Sequence, residues 1–193
     1  MSEKPLDVPI GQRQLFLDDA GIDKIENLTR TMHQPTKKGA VVRSSNPTQT
    51  IQTRTAPVWD PQDEIFKSWV SGTDDVCRTS LDGPHWAAGR KQNIPVTMAV
   101  RDKNDPASES RYKAALLNEG FAASPDGVTW TKLAVPLVPS SDEGNFSFSG
   151  KDELFIHTVK HTGPYGRSVA IVTSTDSENW QDFGPVFHAD AQD

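Results

Sequence analysis

Short apolar runs alternate with polar turns through most of the chain. The runs are rich in Val, Ile, Phe and Trp and are bounded by Gly, Asp and Pro, a pattern typical of β-strands. Clear examples lie at residues 64–70, 111–117, 153–159 and 168–172. The pattern therefore predicts an all-β protein.

One turn motif, Ser-x-Asp-Gly/Ser-x-x-Trp, recurs between these runs. It occupies residues 80–86, 124–130 and 174–180, and its Asp residues are 44 and 50 positions apart. A period of about 40–50 residues is that of the four-stranded blades of a β-propeller. The repeat therefore predicts a β-propeller of four-stranded antiparallel blades, with about three blades present.

The repeat predicts one domain with an irregular beginning. Residues 1–40 are an N-terminal strand region, and three blade-like repeats follow at residues 41–97, 98–138 and 139–193. Within the N-terminal region, residues 14–17 predict a strand. The next apolar residues fit either a short helix through Ile22, Ile25 and Leu28 or a strand over residues 28–32.

The chemistry of the repeated motif is mainly structural. Its Asp and Ser side chains are expected to accept hydrogen bonds from backbone amides, and Gly accepts the positive φ that a tight turn needs. The Trp is expected to bury its ring between neighbouring sheets. Ser177 replaces Gly in the third copy, so that turn is predicted to be altered or strained.

Charge and composition limit the partners. The net charge is −6 and the pI about 5.3, which argues against nucleic acid or an anionic membrane as the main partner. Cys77 is the one cysteine, so no intramolecular disulfide can form. The five His residues lack metal-ligand spacing, and we predict neither a metal nor a cofactor. The sequence as written begins without a signal peptide, which predicts a cytoplasmic protein, or a secreted one if the true start lies upstream.

Several segments resemble a group of bacterial glycosyl-hydrolase-like proteins of the invertase and arabinanase type, glycoside hydrolase families 32 and 43 in the broad sense. The segments that carry the resemblance are residues 14–19, 33–35, 54–61, 111–113, 123–127 and 163–168. The resemblance implies a five-bladed propeller whose funnel-shaped centre binds carbohydrate. Members of the group are much longer, and closed propellers need roughly four to eight blades.

Three interpretations of that difference stay open: a truncated gene product, an atypical blade formed by residues 1–50, or closure with a second chain. An unclosed propeller leaves a bare sheet edge. A homo-oligomer is therefore one expected state.

The resemblance also implies a pair of catalytic carboxyl groups, as most glycosidases use. Asp142 is the first candidate, because related hydrolases carry an Asp at the mouth of the funnel; an acidic turn is the alternative. Glu143 and Asn145, beside it, are candidates for binding sugar hydroxyls. Asp18 and Asp19 are the second candidates, because invertase-type enzymes carry their nucleophile early in the chain, although a turn or capping role fits them too.

Three cations complete the candidate substrate-binding residues. Arg54 begins the first clear blade, where it would bind a carboxylate or hydroxyl. Residues 159–167 predict a hairpin that places Lys160 and Arg167 on paired strands, facing a bound anion or Asp142. The predicted function is binding or hydrolysis of an oligosaccharide or polysaccharide at the propeller centre. The alternative is a non-catalytic carbohydrate-binding or remnant propeller.

Overall fold

The computed structural model describes residues 7–11, 15, 17–19, 21–73, 76–105 and 108–192. The chain divides into two compact units, Met1–Lys37 and Lys38–Asp193. The described residues of the first unit form neither a helix nor a strand, so both alternatives for residues 22–32 are wrong. The side chains of Ile25, Leu28 and Met32 are exposed, and a short segment that buries no apolar face lacks the packing that stabilises a helix or strand. Of the strand predicted at residues 14–17, positions 14 and 16 lie outside the described residues, and the described Leu15 and Leu17 are exposed and belong to no strand.

The second unit consists of three four-stranded antiparallel sheets, which confirms the all-β prediction. The strands of the first sheet are β1 (Gln52–Thr53), β2 (Val58–Asp60), β3 (Ile65–Ser71) and β4 (Cys77–Ser80). Those of the second are β5 (Ala99–Arg101), β6 (Tyr112–Leu116), β7 (Gly120–Ser124) and β8 (Thr131–Lys132). Those of the third are β9 (Gly144–Ser149), β10 (Leu154–Gly163), β11 (Gly166–Ser174) and β12 (Gln181–His188). A single 3-10 turn, Ser108–Ser110, is the helical element among the described residues.

Each sheet contains a run of strands joined by successive hairpins, β2–β4, β5–β8 and β9–β12, and the strand that opens each run (β2, β5 or β9) is called the first strand of its sheet below. In the second and third sheets every strand pairs with the next one along the chain. In the first sheet β1 and β2 pair with separate parts of the same edge of β3, and β4 pairs with its other edge. An isolated bridge between Cys77 and Arg90 continues this sheet beyond β4.

The repeated motif forms the turn that follows the third strand of each hairpin series, as its second copy shows. The Asp126 carboxylate accepts the backbone N–H groups of Val128 at 2.8 Å and Thr129 at 2.7 Å. The Ser124 hydroxyl accepts the N–H of Gly127, which has a φ of 80°. These side chains therefore satisfy the backbone groups of the turn as predicted.

The other two copies differ where their sequences differ. In the first copy Pro84 stands at the position of Val128 and has no N–H, so the Asp82 carboxylate keeps the bond that corresponds to that of Thr129, from the N–H of His85 at 2.9 Å. In the third copy Ser177 adopts a φ of 63°, the conformation that glycine adopts in the first two. The turn therefore keeps its shape, and the predicted strain resides in this one residue.

The Trp of the motif is predicted to pack between neighbouring sheets in every copy, and it does so in the second and third. Trp130 contacts Trp69 of the first sheet edge-on, with ring centroids 6.3 Å apart. Trp180 stacks on Phe121 of the second sheet, with centroids 4.4 Å apart. Trp86, in the first copy, is only partly buried.

A buried hydrogen bond reinforces the packing of the first sheet on the second. The indole N–H of Trp69 donates to the carbonyl of Gly127 at 2.9 Å. A Cβ added to Gly127 would lie 2.9 Å from Cζ2 of the same ring. Glycine at this position therefore serves both the turn and the contact between sheets.

The first strands of successive sheets also contact one another. β2 contacts β5, and β5 contacts β9. The three sheets therefore bring their first strands together, and this arrangement places the cavity described below.

Replacing Gly127 with Ala is predicted to destabilise the protein more than replacing Gly83 with Ala. Both glycines have a positive φ, but a Cβ on Gly83 would meet nothing within 4 Å. Gly83→Ala is expected to lower the free energy of unfolding by about 1–2 kcal/mol, and Gly127→Ala by a further ~1–3 kcal/mol from overpacking against Trp69. Urea unfolding of both variants measures the difference; equal losses would contradict the contact with Trp69.

Candidate functional site

A cavity of about 500 Å³ lies along the first strands β2, β5 and β9. Its lining is mostly apolar, as is usual for small-molecule sites. The aromatic rings in the lining come from Trp59, Phe146 and Phe148, and the polar groups from Arg101, Lys103 and Ser147. No carboxylate is among the described residues that line it.

Trp59 gives the cavity an accessible aromatic surface. The residue is 43% exposed, which is unusual for so large an aromatic residue. The ring packs against Phe66, with centroids 4.8 Å apart. The indole is therefore supported by its neighbour on β3 while part of it stays open to a ligand.

A buried carboxylate lies directly after Trp59 at the end of β2. Asp60 is fully buried, accepts the hydroxyl of Tyr112 and the backbone N–H of Gln62, and pairs with Lys67 at 3.3 Å. Burial by itself would raise the pKa of Asp60, but these hydrogen bonds and the Lys67 charge hold it at about 2. Burial and the neighbouring carboxylate raise the pKa of Tyr112 well above its usual range.

The Asp60 cluster joins the first sheet to the second. Tyr112 lies on β6, and Arg111 beside it is 3.5 Å from the Asp60 carboxylate. Lys67, on β3, also donates to the carbonyl of Asp126 at 3.2 Å. The Nε atom of Arg101, on β5, lies 3.8 Å from Asp60. The Asp60 carboxylate thus interacts with side chains of both sheets beside the cavity.

The second sheet contains a similar group, in which one Lys lies near two Asp carboxylates, as Lys67 does in the first sheet. Lys113 lies on the second strand, hydrogen-bonds the carboxylate of Asp105 and lies 3.7 Å from that of Asp102. Sequence reasoning missed both clusters. The sequence signal for them is an Asp-x-x-Asp pattern at residues 60–63 and 102–105, which begins with the last residue of β2 and with the residue after β5.

Among the residues predicted from sequence, three do come together. The Glu143 carboxylate accepts hydrogen bonds from Arg54 and Lys160, each at 3.0 Å. Hydrogen bonds and charge from Arg54 and then Lys160 hold the pKa of Glu143 at about 2. Glu143 therefore stays ionised near neutral pH, which does not suit a general acid.

Asp142 has a different partner. It forms an ion pair with Arg167 at 3.0 Å, while Lys160 turns to Glu143. The predicted hairpin does place Lys160 and Arg167 on the paired strands β10 and β11, but they do not both face Asp142. The backbone carbonyl of Asn145 accepts a hydrogen bond from the ring of His157, and its side chain is exposed.

Asp18 and Asp19 belong to the first unit. Asp19 pairs with Arg30 at 2.7 Å, and its carbonyl accepts the N–H of Ile22 in a turn. The side chains of both Asp residues are exposed. In the second unit the carboxylate that follows Asp142 in the chain is that of Glu143. It forms ion pairs with Arg54 and Lys160.

The described residues give little support for a metal site or a reactive thiol. They contain no group of three or more His, Cys, Asp or Glu side chains arranged to hold a metal. Burial raises the pKa of the Cys77 thiol to about 11, so this thiol is protonated near neutral pH. No helix long and apolar enough to cross a membrane occurs in the described parts of the chain.

The chain matches no protein-family model and no curated protein. The arrangement of residues in the second unit is therefore the basis for assigning a function.

Asp60→Asn is predicted to lower the free energy of unfolding at pH 7 by about 3 kcal/mol, because it removes the buried anion of Lys67 and Arg111 and leaves them only the half-exposed carboxylate of Asp63. The folded pKa of about 2 lies below the ordinary value of 3.8. The charge contribution is therefore complete above about pH 4 and is lost as the pH falls towards 2.

Urea unfolding at pH 7 and pH 3 measures this prediction. Asp152→Asn is the matched control, because Asp152 is an exposed carboxylate in the corresponding turn of the third sheet. It is expected to cost less than about 1 kcal/mol. A similar loss for the two variants at pH 7 would show that Asp60 is not a structural anion.

Proposed function

We propose that the second unit is part of a β-propeller that binds carbohydrate in the cavity along its first strands. Propeller blades are four-stranded sheets arranged around a central channel. The three hairpin-built sheets, the contacts of β2 with β5 and of β5 with β9, and the aromatic packing between sheets all support this arrangement. The repeated turn supports it independently.

The observation that carries the carbohydrate proposal is the open face of Trp59 inside this cavity. A sugar ring has an apolar face of C–H groups and an edge of hydroxyls. An exposed indole fits the first, and a few polar side chains in an apolar pocket fit the second. Ser147 and Arg101 supply such groups here.

Trp59→Ala tests this proposal directly. In calorimetric titration against a panel of neutral and acidic oligosaccharides, the unaltered protein is expected to bind at least one member. Trp59→Ala is expected to weaken that binding by about tenfold or more, as for loss of a central aromatic contact. Trp86→Ala, which removes a partly exposed ring outside the cavity, is the control. Binding that survives Trp59→Ala, or no binding to any member, contradicts the proposal.

Hydrolysis is the second candidate function. The observation that favours it is the position of Asp142 just before β9, with its side chain accessible and paired to a surface Arg167. Binding is favoured over hydrolysis, because the neighbouring Glu143 is held ionised by two cations and is poorly suited to give up or take a proton.

Asp142→Asn is predicted to abolish any turnover of aryl glycosides while leaving the unfolding curve unchanged. Its exposed position and single ion pair explain why folding should tolerate the change. Release of the aryl group is followed by absorbance, with Asp152→Asn as the control. Turnover retained by Asp142→Asn would remove this residue from a catalytic role.

A further inference from the structure

We infer that the saccharide bound in the cavity is acidic, with its anionic group held by Arg101 and Lys103. This inference rests on the proposed function and specifies its ligand. Both cations line the cavity, and the described lining contains no carboxylate to neutralise them.

The local charge differs from that of the whole protein. The chain has 26 acidic residues against 20 Lys and Arg, a net charge of −6. A cavity whose described charged groups are all cations is therefore not explained by composition. Such a cavity attracts anions and disfavours cations.

Arg101 lies near a carboxylate but has an unused hydrogen-bond donor. Its side chain is only 18% exposed and lies 3.8 Å from the buried Asp60 carboxylate. Its Nε atom is buried and has no hydrogen-bond partner. Asp60 is already engaged by Tyr112 and Lys67, so it orients the guanidinium by charge rather than by a direct hydrogen bond.

A buried donor without a partner costs stability and needs an explanation. Arg101 also lines the cavity with a side chain that is partly accessible, so a ligand anion there can accept hydrogen bonds from the accessible N–H groups of its guanidinium. The planar guanidinium matches the two oxygens of a carboxylate and also fits other oxyanions.

Lys103 is placed to add a second charge at the exposed side of the cavity. Its Nζ atom would lie 3.4 Å from a Cβ on Gly150, in the turn between β9 and β10. The absence of a side chain at Gly150 thus leaves room for Lys103 over this turn. Within the described residues Lys103 forms no ion pair.

A hexuronate unit satisfies these features together. Its ring can stack on Trp59 while its carboxylate meets Arg101 and Lys103. A sulfate ester on a neutral sugar presents similar oxygens, so the shared ligand chemistry is a saccharide that carries an oxyanion. The experiment separates the two sources.

Calorimetric titration of the full chain uses four probes: tetragalacturonate, its methyl ester, a sulfated galactan oligosaccharide and a neutral galactan oligosaccharide. An acidic probe is expected to bind at least about tenfold tighter than its neutral counterpart, and more weakly as NaCl is raised. Arg101→Gln is expected to weaken that binding about 10- to 100-fold, and Lys103→Gln by a smaller factor. Lys91→Gln, an equal change of charge at an exposed position outside the cavity, should leave affinity unchanged.

Arg101→Lys keeps the charge near Asp60 but loses the planar fork, so it tests the inference even if Arg101→Gln fails to fold. Uronate binding identifies a carboxylate, and sulfated-galactan binding without uronate binding identifies a sulfate ester; either supports the inference. Equal binding of acidic and neutral probes, sensitive to Trp59→Ala but not to Arg101→Lys or Lys103→Gln, overturns it and leaves the proposed function standing. Binding of no probe overturns both.

Discussion

The buried carboxylate of Asp60 is the interaction on which the rest of the site depends. It accepts hydrogen bonds from Tyr112 and Lys67, which lie on different sheets, and this removes the cost of burying each charge alone. Its neighbour in the chain, Trp59, faces the cavity, and Arg101 lies within 4 Å of its oxygens. The same group therefore links two sheets and lies beside the cation of the cavity, while the ring of Trp59 packs on Phe66.

Much of the fold follows from local patterns in the sequence. Alternating apolar runs determine the strands, and the Asp of each repeated turn satisfies backbone amides only two or three residues away. The Trp that follows packs between sheets because its position relative to the strand is fixed by the turn. The prediction of a helix or strand within residues 22–32 was wrong because a local pattern alone does not create the packing that stabilises such an element. Ile25 and Leu28 have helical spacing, but spacing alone does not supply a surface to bury them.

The site was harder to predict because its contacts are distant in the chain. Asp60 and Tyr112 are separated by 52 positions, and Arg54 and Glu143 by 89. No local spacing indicates which carboxylate meets which cation. The residues that line the cavity look ordinary in the sequence, since Trp59 and Arg101 lie within or beside short apolar strands. Their meeting depends on the contact between first strands of successive sheets.

The central claim is that the first strands β2, β5 and β9 line one saccharide-binding cavity. Backbone amide NMR shifts during titration with tetragalacturonate and the sulfated galactan oligosaccharide test it most directly. The account predicts that the largest shifts fall on residues 58–60, 100–103 and 146–148, from all three strands at the same ligand concentration. Shifts confined to one strand, or centred on residues outside these segments, would contradict it.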